Sequence, residues 1–210
     1  MRFEDYLKVQ ENGDIDNIIS EIERNCKPFI DDWKKLNISK WLMSGRRIMG
    51  SPMFKKGTVR VDRVPVDTPI ELHDLVDTWF NNKFGFKARS NAIFTTFNPN
   101  MTYRYGDLYL IFPIGQYSVV SSKKVEDLYL IIEEVIFAIL DGYHSDLSRL
   151  WKRLTDENKK RAKLSILEEL NKSGYMDKLV FHNNEIMLNC KEYYIVSSKY
   201  NAKLLEYFGK

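Results

Sequence analysis

Apolar side chains at Ile15, Ile18, Ile19, Ile22, Phe29 and Trp33 recur three and four positions apart, the spacing of one buried helix face. The pattern predicts a helix over Asp14–Leu36, capped at Asp14 or Asp16 and kinked or divided at Pro28. Lys40–Ser44 reads as a short strand ending at Gly45-Arg46-Arg47. Gly50, Pro52 and Gly57 then mark turns, and Thr58–Val64 alternates apolar with polar residues as a half-buried strand does. Ile70–Phe84 has the spacing of an amphipathic helix closed by Gly85. Asn91–Phe97 reads as a strand, followed by a short helix from Pro99 that stops at Tyr105-Gly106. The apolar run Leu108–Phe112 predicts a central strand, extended by Tyr117–Val120. Helices are predicted over Val125–Leu140, Ser145–Leu154 and Asp156–Lys172. Strand signals follow at Lys178–Phe181, Glu185–Leu188 and Glu192–Val196, then a last helix from Ala202. Early and late strands with helices between them indicate an α+β fold rather than a regular doubly wound sheet.

A chain of 210 residues, 44% hydrophobic and 29% charged, has the composition of one globular domain. Its expected parts are a helical segment over 1–38 and a core over 39–200, with a helical insertion at about 145–172. Aromatics reach 13%, which favours a strand-rich core or a stacking pocket. The net charge of +3, from 32 basic and 29 acidic residues, is too mild to indicate a polyanion partner by itself. No apolar run reaches membrane-spanning length, since Glu133-Glu134 interrupt Leu128–Leu140, and Met1-Arg-Phe-Glu-Asp lacks a leader's apolar stretch. Cys26 and Cys190 make neither a disulfide framework nor a metal site and read as reduced, buried thiols. The expectation is a soluble, cytoplasmic protein without membrane contact. His73, His144 and His182 are too scattered for a zinc site, and no phosphate-binding glycine loop or Gly-x-Ser-x-Gly elbow is present. No metal is expected.

The most informative segment is His182-Asn-Asn-Glu185-Ile-Met-Leu-Asn-Cys-Lys-Glu-Tyr-Tyr-Ile-Val196. Its spacing describes a β-hairpin with a carboxylate at its mouth, and a solvated Glu is the plain reading. In context it resembles the late strand pair of the ADP-ribosyltransferase superfamily, whose catalytic glutamate heads a strand of this form. Upstream, Phe94-Thr95-Thr96 and the short helix to Tyr105-Gly106 are similar to the family's hydroxyl-bearing strand and aromatic-ended helix. Leu42-Met43-Ser44-Gly45-Arg46-Arg47 resembles the opening strand, but Ser44 stands where the family has Arg or His. Val59–Pro69 with His73, and Tyr105–Gly115 running to Asp127-Leu128, are similar to uncharacterised phage proteins that look like members of the superfamily.

The resemblance implies a split pair of facing mixed or antiparallel sheets with flanking helices, and NAD as substrate. Glu185 would stabilise the ribosyl cation, Thr95 and Thr96 would brace it, and Phe94 or Tyr105 would pack on nicotinamide. Ser44, Gly45, Arg46 or Arg47, and Arg89 would meet the ribose and diphosphate. A carboxylate suits this chemistry because breaking the glycosidic bond develops positive charge on the sugar. Asn183, two residues before Glu185, departs from the Glu or Gln of arginine-modifying members and counts against an arginine acceptor. A protein or nucleic-acid acceptor, or water, remains open. Host cytoplasm or a virion would be the setting of a phage-encoded modifier. The rival readings are a non-enzymatic phage protein on a degenerate scaffold, and a nucleic-acid binder using Arg46, Arg47, Lys55, Lys56 and Arg60 beside Phe54.

Overall fold

The computed structural model describes residues 3–61, 63, 65–140 and 146–209, with residues 3–13 as backbone only. Asp62, Val64, His144 and Ser145, which the sequence reading invokes, lie outside the described residues. The elements in chain order are α1 (Phe3–Asn25), α2 (Lys27–Lys35), β1 (Met43–Arg46), β2 (Phe54–Thr58), α3 (Ile70–Phe84) and β3 (Ile93–Thr95). After two 3₁₀ turns at Pro99–Met101 and Tyr103–Tyr105 come β4 (Asp107–Ser121), α4 (Leu128–Leu140), α5 (Leu147–Arg153) and α6 (Asp156–Lys172). The chain ends with β5 (Ile186–Ser197), a 3₁₀ turn and α7 (Asn201–Phe208). This is a mixed α+β architecture with antiparallel pairing and flanking helices.

The described strands form one five-stranded sheet ordered β1-β4-β5-β2, with β3 pairing with β5 off that path. The resemblance implies two facing sheets, so that detail is corrected. β1 pairs antiparallel with β4 (Met43 opposite Leu110), and β2 with β5 (Phe54 opposite Val196). The Glu185–Val196 hairpin is also corrected: Ile186–Ser197 is a single strand. Asn189-Cys190-Lys191 has no glycine or proline to turn the chain, and Cys190 is buried. Leu108–Phe112 and Tyr117–Val120 likewise join into β4, with Gly115 at φ +68° breaking the pleat between its two buried runs.

Other boundaries moved. The first helix begins at Phe3, so Asp14 and Asp16 lie inside it. Its expected division occurs at Cys26, with Pro28 tolerated in the first turn of α2. The Thr58–Val64 strand instead occupies Phe54–Thr58, among the expected turns. Gly57 fits there because a Cβ would come within 2.8 Å of the Tyr193 ring. Lys178–Phe181 is not a strand; nearby Met176 makes an isolated bridge to Ser121.

The chain gathers into two compact units. The first takes the chain up to residue 59, residues 95–117 and the chain from 190. The second takes residues 60–94 and 118–189. In the first unit, Trp33 stacks on Trp41 at 3.9 Å, and Phe112 and Phe208 close on Trp41. The second is built around Leu72, Val76 and Phe80 of α3, Ile132 and Ile136 of α4, Trp151, Ile166, Leu170 and Met187. No helix among the described residues is long and apolar enough to cross a membrane.

Candidate functional site

The second unit gathers an unusual set of charges around Glu185. The residue immediately precedes β5, and its amide donates to the Glu126 carbonyl (2.8 Å), which fixes the backbone just before α4. Its carboxylate accepts a long 3.5 Å bond from the Leu128 amide at the first turn of α4. The side chain is only partly exposed. Burial, and then repulsion from Asp127, push its carboxyl up to about 7 from the ordinary 4.5, against the opposing pull of Arg89, the Leu128 amide and Arg63. Tyr175, buried beside the same charges, is held well above the usual tyrosine range by burial and by Glu185 and Asp127.

The Leu128 amide at the start of α4 lowers the Glu185 carboxyl as a helix N-terminus does, but that bond is at the limit of hydrogen-bond length, and burial and Asp127 outweigh it. The surroundings of Glu185 poise it near neutrality, where it exchanges a proton readily.

Arg89 is the cation most firmly built into this group. The Asp77 carboxylate accepts from the amides of Arg89 (2.7 Å) and Ser90 (3.2 Å) and from the Ser90 hydroxyl (2.5 Å). The Arg89 guanidinium donates through Nε to His73 Nδ1 at 3.4 Å and through Nη2 to Thr68 Oγ1 at 3.3 Å. His73 Nδ1 is thus the unprotonated nitrogen, and Nε2 faces Asp77 (3.3 Å) and Ser90 (2.9 Å). Burial pushes Asp77 up, yet the bonds from His73, Ser90 and the Arg89 amide outweigh it and hold the carboxyl below its ordinary value. Ser90, His73 and Asp77 have the composition of a hydrolase triad without its geometry. Serine and aspartate both meet Nε2, while Nδ1 is spent on Arg89, so the group holds an arginine rather than activating a hydroxyl.

Phe94, the remaining predicted residue in this unit, carries the Arg63 guanidinium 4.7 Å above its ring. Arg63 therefore joins Arg89 as a second cation acting on Glu185. Asp127, Arg63, His73, Asp77, Thr68 and Tyr175 were not singled out by sequence reasoning as site residues. The α3 signal that was available is His73 and Asp77 one turn apart on a helix, with both side chains buried.

The other predicted residues lie in the first unit and form a second arrangement. Arg46 Nε donates to Ser44 Oγ at 3.1 Å, and its guanidinium lies 5.8 Å from the Tyr193 ring centre. Gly45 has a packing reason: a Cβ there would sit 2.1 Å from the Thr102 carbonyl oxygen and 2.9 Å from Tyr105 Cβ. Tyr105 is half exposed, with the Arg104 guanidinium 4.9 Å from its ring centre. Thr95 and Thr96 are both buried. The Thr96 hydroxyl accepts from the Asn98 amide at 3.0 Å, and its backbone bridges Met43 in both directions. That hydroxyl therefore has a local task in the turn into Pro99–Met101. Comparisons with family models, with curated proteins and with solved structures find no match.

Proposed function

We propose that the Glu185 cluster is the reaction centre of an NAD-dependent ADP-ribosyl transfer. The observation that carries the reading is Glu185 itself: a partly exposed carboxyl poised near neutrality by burial and then by Asp127, with the charges of Arg89 and Arg63 acting on it. Glycosidic cleavage needs an anion close to the sugar while positive charge develops there. It also needs cations for a phosphate-bearing substrate, and this group holds both.

In the proposed reaction, the bond between nicotinamide nitrogen and ribose carbon breaks with its electron pair leaving on nicotinamide. Ionised Glu185 stabilises the resulting sugar cation until an acceptor's lone pair attacks the same carbon and the acceptor gives up a proton. Arg89, held in place by Asp77 and His73, meets the diphosphate. Phe94 is the aromatic neighbour of the base. The activity should rise with pH through about 7, because the working form of Glu185 is the carboxylate.

The test is incubation of the pure protein with labelled NAD and a cell lysate, beside Glu185→Gln. Label on a protein or nucleic-acid band from the wild type alone supports transfer, with a loss of about 10² or more expected for the variant. Folded wild type that neither labels a band nor releases nicotinamide would sink the proposal and favour a non-enzymatic binding role.

A further inference from the structure

Helices α5 and α6 of the second unit carry charge differently from the other helices. Between Leu147 and Lys163 stand seven cations and two acids, a surplus of five on a chain whose net charge is +3. Elsewhere, exposed Lys34 and Lys83 also lack an acid at ion-pair distance among the described residues, but four helical cations meet one three or four residues away: Arg24 with Glu21, Lys27 with Asp31, Lys35 with Asp32 and Lys172 with Glu169. Arg149 follows that habit with Asp146. Lys152, Arg153, Lys159, Lys160, Arg161 and Lys163 have no acid within ion-pair distance among the described residues.

Three of these lysines surround a groove. Lys159, Lys160 and Lys163 line a space of about 420 Å³ together with Glu71, Asp156 and Leu164. The ammonium groups of Lys159 and Lys163 lie 5.9 and 5.8 Å from the centre of the Trp151 ring. That indole is locked in turn, because its Nε1 donates to Glu71. Lys159 and Lys163 are one helical turn apart, an arrangement of like charges that opposes the helix. The groove therefore holds three lysines against two carboxylates, Glu71 and Asp156, and the Glu71 carboxylate is engaged by Trp151.

We propose that this groove docks the phosphodiester backbone of a nucleic-acid strand, the lysines supplying its contacts. Lysine is a mobile point charge suited to phosphates at variable positions, and Lys152, Arg153 and Arg161 extend the positive charge beyond the groove, as an evenly charged backbone requires. A membrane surface fits poorly, since Leu164 is the one exposed apolar side chain of the groove and interfacial helices need a broad apolar face. Trp151 is buried beneath the lysines, so it offers no face for stacking bases, and binding follows charge rather than sequence. The docking site stands without the transferase reading. Its use, presenting a nucleic-acid acceptor for ADP-ribosylation, rests on that reading.

The experiment is fluorescence anisotropy of short mixed-sequence oligonucleotides, single- and double-stranded, titrated with the protein over rising salt and without NAD. Binding should weaken linearly in log affinity against log salt. Lys159→Glu with Lys163→Glu should lower affinity about tenfold or more and reduce the salt slope by about one per lysine. Lys159→Gln with Lys163→Gln should do the same more mildly, and Lys178→Glu, outside the groove, should change little. Thermal melts establish that each variant is folded. Binding unchanged by both double substitutions overturns the proposal. So does competition by polyglutamate at equal charge, or binding to anionic vesicles in preference to oligonucleotide. Because NAD is absent, a failure here leaves the Glu185 reading intact, and a failure of NAD turnover leaves this one intact.

Discussion

Glu185 is destabilising where it is placed, and that cost has a measurable sign. Its carboxyl titrates near 7 in the folded chain and near 4.5 when unfolded. Between those values the folded state holds a proton that the unfolded state has lost, so stability falls as pH rises from about 4.5 to 7 and levels off above. Glu185→Gln removes that penalty. The variant should be more stable than wild type at pH 8, by on the order of 2 kcal/mol after allowance for partial solvent access, and the gap should close below pH 4.5. Paired thermal melts at the two pH values check this; a destabilised variant at pH 8 would mean the carboxylate serves the fold. The two cysteines make the opposite case. Burial pushes both thiols up to about 12, so they should resist a thiol reagent in the native state and both react in denaturant. The resemblance singled out Glu185 and Arg89, and the fold brings them into one unit, where the Arg89 charge acts on Glu185. Asp127, Arg63 and the His73–Asp77 pair were not legible. They act through long-range proximity, and a lone Asp before a helix carries no local sign of what it will face.

At the scale of elements, Gly45 ties a strand to a turn. The Thr102 carbonyl oxygen occupies the place of the missing side chain, and Gly106, at φ +125°, meets the Arg46 backbone from the other direction. Gly45→Ala should therefore cost about 2 kcal/mol or more, since backbone must move to admit the methyl group. A melt unchanged from wild type would refute the packing account and return Gly45 to a ligand-binding role. Helical elements were read well: α3 ends at Phe84 with Gly85 at φ +81°, and α6 spans the expected Asp156–Lys172. Strands were read less well. β2 lies among glycines and lysines, and its place in the sheet is set by Glu192–Val196 across from it, a contact that its own residues do not announce. The single long β5 was likewise read as two strands, because a polar stretch at Asn189–Lys191 resembles a turn when its cross-strand neighbours are unknown.

At the scale of the molecule, the chain weaves through two compact units whose parts are interleaved in sequence. Composition and periodicity carry no trace of that weave, which arises from pairing between distant strands. Residues 1–117 include most of the first unit but not Cys190–Lys210, so they lack β5 and the buried Leu204 and Phe208 of α7. A chain ending at residue 117 should show no cooperative thermal transition by circular dichroism; a sharp one would contradict the assignment of Cys190–Ser197, the later part of β5, to that unit. The central claim is that Glu185 is a poised carboxyl at an NAD-binding reaction centre. Its most direct test is a carbon-13 NMR titration of the Glu185 carboxyl, assigned by the signal missing from Glu185→Gln, in the free protein and with NAD. The account predicts a midpoint near 7 that moves when NAD is added. A midpoint near 4.5, or one indifferent to NAD, would contradict it.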